Sequence, residues 1–215
     1  MKILNKIILL FSILTLTSCA AISTAVSKRN LEVKTKMQSS IFLNPVTDNL
    51  KTVFIQTHNT SDQQSFNVVE NLRRELRKKD YRVTNDPGQS HYILQINILQ
   101  AGKTSKTALE KSPFGVLDAV GFGAAGAMIG GRNGKIGGTI IGGVIGAGAS
   151  VVANSLVEDV YYSAITDIRI IEKQKGDNII YQTRILSSAN KVNLKWEVAQ
   201  PELEKGLANS IAGVF

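Results

Sequence analysis

Between Gly115 and Gly148 the chain places thirteen of its 18 glycines, the other five being Gly88, Gly102, Gly176, Gly206 and Gly213. No other stretch restricts folding as severely. From Phe114 to Gly131 the only charged residue is Asp118, and from Ile136 to Val157 there is none. Gly126, Gly130, Gly134, Gly138, Gly142 and Gly146 recur at every fourth position, and Ser150 continues the series. On one helix, residues four apart share a face. A strip without side chains lets a second helix approach closely, which is how helices associate in lipid. In water each interior glycine costs about 1 kcal/mol relative to alanine, whereas an unmade backbone hydrogen bond in hydrocarbon costs several kcal/mol. Each half would form roughly 27–33 Å of helix, against a hydrocarbon core of about 30 Å. The spacing therefore predicts two membrane-spanning helices, 114–130 and 136–157, with Asn133-Gly134 as the turn between them. Arg132, Asn133 and Lys135 form a candidate contact tip. A glycine strip on each helix needs more than one partner surface, so self-assembly into a closed ring is expected.

The N-terminus says where such a chain would go. Lys2 and Lys6 precede an apolar run from Ile7 to Leu16, which ends in Leu16-Thr17-Ser18-Cys19. A basic start, a short apolar run and small residues before a cleavage point make a secretory signal, and the run is too short to span a bilayer. Leu-Thr-Ser-Cys has the form of a bacterial lipobox, so Cys19 is the expected lipidation site and residues 1–18 the signal peptide. Cys19 is also the only cysteine, which excludes an internal disulfide. Several acyl chains at roughly 0.8 kcal/mol per buried CH₂ hold firmly. Ala20 and Ala21 follow, with no Asp to retain the protein in an inner membrane, so an outer-membrane location is expected. Cleavage removes Lys2 and Lys6, leaving 25 − 2 = 23 basic residues against 17 acidic, a net charge of +6. In an exported protein this excess suits membrane lipid and lipopolysaccharide phosphates better than nucleic acid.

Around the glycine-rich block the patterning is mixed. Strands are expected at 52–57, 81–84, 92–99, 160–171 and 179–187, the last two joined through Lys175-Gly176-Asp177-Asn178. Thr60 or Ser61 with Gln63 or Gln64 reads as the start of a helix carrying Phe66, Val69, Leu72 and Leu76. Arg73, Arg74, Arg77, Lys78 and Lys79 form its basic face, and a last helix runs from Pro201 to Val214. The expected class is α+β: a small sheet covered by two helices and interrupted by a glycine-rich transmembrane helical hairpin. The expected segments are 19–50 (lipidated N-terminal segment), 51–112 (first half of the lobe), 113–157 (hairpin) and 158–215 (second half).

No catalytic constellation stands out, and neither a cofactor nor a metal is expected. Gly121 to Gly126 fits G-x-G-x-x-G, but no acidic residue lies between Ala119 and Val157 to hold a ribose. Ile136 stands where a phosphate-binding loop needs Ser or Thr. His58 and His91 are the only histidines, no serine sits in a nucleophile elbow, and Glu158-Asp159 are adjacent on a strand, hence on opposite faces.

Lys28-Arg29-Asn30-Leu31-Glu32-Val33-Lys34-Thr35 follows the lipobox, and Val53-Phe54 comes before Asn59-Thr60-Ser61-Asp62. Beyond the glycine block stand Val157-Glu158-Asp159-Val160, Ile165-Thr166-Asp167, Tyr181-Gln182-Thr183-Arg184 and Ser188-Ala189-Asn190-Lys191-Val192-Asn193-Leu194-Lys195. Together these resemble the TraT family of complement-resistance and surface-exclusion lipoproteins over nearly all of the mature chain. The resemblance implies a surface-exposed, oligomeric outer-membrane lipoprotein. Such a protein reduces mating between cells carrying similar plasmids and helps them survive complement. It also implies contact with a donor cell's mating apparatus or with complement components. One departure stands out: plasmid-borne members have a longer segment before Tyr-Gln-Thr-Arg, where this chain has only the turn Lys173–Asn178, which leaves open a chromosomal relative with a different role. An oligomeric helical pore, or a structural envelope lipoprotein without exclusion activity, is the alternative reading.

Overall fold

The computed structural model describes residues 29–110, 112 and 158–215. The strands are β1 (Glu32–Met37), β2 (Thr52–Asn59), β3 (Arg82–Thr84), β4 (Tyr92–Thr104), β5 (Asp159–Glu172) and β6 (Ile179–Val192). The helices are α1 (Val69–Arg77), the short α2 (Lys106–Glu110) and α3 (Trp196–Ala212). All six strands form one sheet in the order β1-β6-β5-β4-β2-β3. Pairing is antiparallel from β1 through β4 and parallel from β4 through β2 to β3.

Alternation decides the two faces. Along β5, Val160, Ala164, Ile168 and Ile170 point to one side and join the main core. Tyr161, Ile165, Asp167 and Arg169 take the other side, since successive strand residues alternate. On β4, Tyr92, Leu94, Ile96 and Ile98 face the core, and then the register shifts between Ile98 and Gln100. This bulge moves the inward set to odd positions, so that Ala101 is buried in the same core. α1 and α3 close the core with Leu72, Leu76, Leu203, Leu207 and Ile211, all fully buried. α3 also lies tight against β1. A Cβ at Gly206 would stand 3.0 Å from Thr35 Oγ1 and 3.2 Å from Val33 Cγ1, so the approach depends on a missing side chain.

The expected α+β class with its transmembrane helical hairpin is overturned. The fold is mostly β, its long strands outweighing its few helices, and no helix among the described residues is long and apolar enough to cross a membrane. Glycines four apart specify one face only if the segment is helical, and they carry no information about how much strand flanks them. The flanking strands are longer than periodicity suggests: β4 runs on to Thr104 and β6 to Val192. Residues 113–157 lie outside the described residues.

One smaller expectation also changes, and one segment is filled in. The segment 19–50 contains β1, which pairs with β6 from Glu32↔Asn190 to Met37↔Ile185. The Ser61-Gln64 signature does not open a helix. Ser61 O accepts from Gln64 Nε2 at 2.5 Å, and Ser61 Oγ accepts from Gln63 N at 3.3 Å, closing a turn instead. Asn59 fixes that turn, donating to Gln63 O (3.0 Å) and Phe66 O (3.1 Å) while accepting from Ser61 N (2.9 Å). Side-chain bonds of this kind compete with helix formation. α1 therefore waits until Val69, whose N–H is met by Asn67 Oδ1 at 2.9 Å.

Candidate functional site

One row of paired residues crosses four strands near an end of the sheet. Glu32 faces Asn190, Asn190 faces Tyr161, and Tyr161 faces Thr104. At this end β1 begins, β4 ends, β5 begins and β6 ends. The ends are joined by polar contacts. Asn190, itself buried, donates to Asp159 Oδ1 (2.5 Å) and Val160 O (3.0 Å). Glu158 and Asn193 exchange two bonds: Glu158 N donates to Asn193 Oδ1 (2.9 Å) and Asn193 N to Glu158 O (2.8 Å). Lys103 Nζ pairs with Glu158 Oε1 at 2.8 Å, tying the end of β4 to the residue that precedes β5. The Tyr161 hydroxyl donates to Asp159 Oδ2 at 3.1 Å. Burial raises the Tyr161 phenol to about 12, and the neighbouring Asp159 carboxylate adds to the effect. The glycine-rich stretch thus leaves the described fold after Ser112 and returns at Glu158, between strands that are antiparallel neighbours.

The open face continues from this end. Leu109 of α2 covers Ile165 and Leu186, with Leu99 and Tyr161 packed alongside. Further along, Asp167 and Arg184 face each other across β5 and β6 in a two-pronged ion pair of 2.5 and 2.8 Å. That pairing holds the Arg184 guanidinium above its ordinary range. At the opposite end of the sheet, on the covered side, Glu172 is a buried carboxylate. It accepts from Tyr181 Oη at 3.0 Å and lies 3.9 Å from His91 Nε2. Burial, then the bond to Glu172, raises the Tyr181 phenol.

The residues singled out from sequence fall unevenly. Cys19, the glycines 126, 130, 134, 138, 142 and 146, and the tip residues Arg132, Asn133 and Lys135 lie outside the described residues. Of the basic face, Arg73 pairs with Glu70 (3.9 Å), while Arg74 and Lys78 both engage Glu75 (3.8 and 2.8 Å). Arg77 and Lys79 are exposed. His58 is exposed on β2 and His91 stands edge-on to Tyr92 at 4.6 Å, so the two histidines do not share a site. Among the described residues no group of three metal-ligating side chains occurs. A cleft of about 180 Å³ between β2 and the loop before α1, lined by Thr57, Asn59, Phe66 and Val68, falls below the roughly 300–1,000 Å³ of ordinary ligand sites.

Sequence reading missed Glu172 and the partnership of Asp167 with Arg184. The motifs themselves carried the second: Ile165-Thr166-Asp167 and Tyr181-Gln182-Thr183-Arg184 are facing stretches of one hairpin. Likewise, the described parts of the stretches beginning at Lys28, Val157 and Ser188 meet around the Glu32–Thr104 row.

A crowded sheet end from which chain segments depart, in place of a cavity lined with reactive groups, marks the described residues as a single-sheet, mostly β domain. Comparison with known proteins supplies the particular family. A family model described as "Enterobacterial TraT complement resistance protein" matches residues 30–179 and 173–215. TraT complement resistance proteins of Escherichia coli are 38% identical over 242 aligned residues, covering 100% of this chain and 98% of the relative. The protein of that name in Wigglesworthia glossinidia brevipalpis is 30% identical over 246 residues, covering 99% and 98%. The chain belongs to the TraT complement resistance family. The first of these alignments is longer than the chain by 242 − 215 = 27 positions. The two parts of the family match meet over residues 173–179, the β5–β6 turn that was noted as short. Among solved structures, the PelC dodecamer from Paraburkholderia phytofirmans aligns over 83% of this chain and 97% of its own, at 7% identity and a TM-score of 0.34.

Proposed function

We propose that this chain is an outer-membrane lipoprotein, anchored by acyl chains on Cys19 and displayed at the cell surface. There it lowers mating between cells carrying like plasmids and helps them withstand complement. The observation that carries the reading is full-length similarity to proteins named for complement resistance. Leu16-Thr17-Ser18-Cys19 supports the anchor, and the Ala20-Ala21 that follows supports the outer membrane. The protein acts by occupying the surface as an assembly of copies, not by catalysis. The mature charge of +6, from 23 − 17, suits a bed of lipopolysaccharide phosphates. Its targets are a donor cell's mating apparatus or complement components, and it has no nucleic-acid partner.

Deleting the gene tests this reading. Recipient cells lacking it should accept a like plasmid more often and survive serum less well, and a Cys19→Ser copy should restore neither property. Unchanged mating frequency and unchanged serum survival would remove the proposal.

A further inference from the structure

β1 enters the sheet close after Cys19 in sequence, and the inference rests on the anchor proposed at that residue. β1 starts at Glu32, in the row that also holds the last residue of β4. From Cys19 to Glu32 is 32 − 19 = 13 residues. Whatever path they take, 13 residues span at most roughly 43–47 Å. The sheet itself is about as long: β5 runs 14 residues, or roughly 45 Å at about 3.3 Å each. To bring the far end down to the bilayer, the tether would have to be drawn straight along the whole sheet. At the near end it meets no such demand.

A second observation points the same way independently of the anchor. The stretch from 113 to 157, apolar by composition, also departs and returns at the near end, after Ser112 and before Glu158, which Lys103 clasps at 2.8 Å. At the near end Trp196 begins α3 just beyond β6, its ring tilted against Tyr162 at 5.3 Å and stacked on Phe66 at 6.2 Å, so the core holds it. The far end carries rings as well, with Phe215 edge-on to Tyr81 at 5.2 Å and to Tyr92 at 5.5 Å. Its turn, Gln174 to Asn178, is exposed throughout and lies where the family match divides.

We propose that the sheet end at which Glu32 starts β1 and Glu158 leads into β5, with exposed Asn193 and Lys195 beside them, is a lipid-facing surface. It lies against the head groups of the leaflet that holds the Cys19 acyl chains, with the β5–β6 turn projecting about 45 Å away. The turn is then the outermost described part of the molecule, where the two parts of the family match meet.

The test uses the full-length lipidated protein in phospholipid vesicles containing head-group-labelled fluorescent acceptor lipid. Cys19 is blocked by acylation, so a donor dye attaches only to an engineered thiol, at exposed Lys195 (Lys195→Cys) or exposed Asp177 (Asp177→Cys). Energy transfer to the lipid should be several-fold stronger from position 195 than from 177. Co-flotation with vesicles but equal transfer, or stronger transfer from 177, overturns the orientation while leaving the anchor intact. Failure of the protein to float removes the anchor and the orientation with it. Urea midpoints matching wild type in both labelled variants establish that the comparison is between folded proteins.

Discussion

The two faces of the sheet solve different problems with the same strands. The covered face is closed by α1 and α3 and filled with Leu, Ile and Ala side chains at or near complete burial. Glu172 is the one acidic side chain buried among the described residues. Among the described residues the open face has only the short α2, whose Leu109 covers Ile165 and Leu186, and beyond it turns polar, with the Asp167–Arg184 pair and the hydrogen-bonded amides of Gln56 and Gln95 (2.9 Å). Stability therefore resides on one side, and the other is left available. An ion pair whose side chains are 27% and 37% exposed contributes little to stability, typically below about 1 kcal/mol. It fixes the register of β5 against β6 more than it holds the fold together.

The hardest blow to this contrast comes from the covered side. Leu203 of α3 is fully buried in the main core. Truncation leaves a cavity, and Leu203→Ala should cost about 2–5 kcal/mol. The measurement is the urea midpoint of the delipidated domain at unchanged slope. A loss below about 1 kcal/mol would mean that α3 does not close the core as described.

A smaller effect tests the exception on that face. Tyr181→Phe removes the hydroxyl that donates to buried Glu172 at 3.0 Å and leaves the ring. Hydrogen bonds to charged groups contribute about 1.5–3 kcal/mol, so a loss in that range is expected at neutral pH. Equal stability of Tyr181→Phe and wild type would show that Asn44 and Gln174, at 3.5 and 3.4 Å, satisfy the carboxylate without it.

How much of this contrast was legible before folding differs by element. The β5–β6 hairpin was readable because two alternating runs flank a Gly-Asp turn, and alternation survives wherever one face is buried. β1 carried its signal too: Val33, Thr35 and Met37 turn inward while Glu32, Lys34 and Lys36 turn out, the usual habit of a charged edge strand. That signal is weak beside the glycine series, which drew the reading toward helices. The bulge after Ile98 was not readable, since only the partner strand shows that the register has slipped. Nor was the site. Its parts meet through pairings such as Thr35 Oγ1 with Ser187 Oγ, 152 positions apart, and no local pattern announces a contact of that separation. Resemblance named the right stretches, but only the sheet order β1-β6-β5-β4 brings them together.

The smallest effect sharpens the contrast from the open side and appears only in alkali. Tyr161 packs against the Leu109–Ile165–Leu186 cluster, and its hydroxyl donates to Asp159 at 3.1 Å. Ionising it would strip solvent from a phenolate and set that charge beside a carboxylate, which is why its pKa rises from 10.0 to about 12. A folded-state value above the unfolded one means that the native chain keeps a proton the unfolded chain has lost. The contribution is therefore whole below pH 10 and declines as pH climbs toward about 12. Tyr161→Phe keeps the ring but cannot titrate. Near neutrality it should lie below wild type by about 0.5–1.5 kcal/mol, less than the bond to buried Glu172 gives, because exposed Asp159 stays solvated. Urea midpoints followed upward from pH 10 should show that gap closing, because wild type falls through a titration that the variant lacks. Tyr81, Tyr92 and Tyr181 are also raised by burial and remain in both proteins, so they cancel in the difference. A gap that stays constant up to pH 12 would place Tyr161 in water. The open face would then lack even this small enclosed cluster, and the covered side would hold the whole fold.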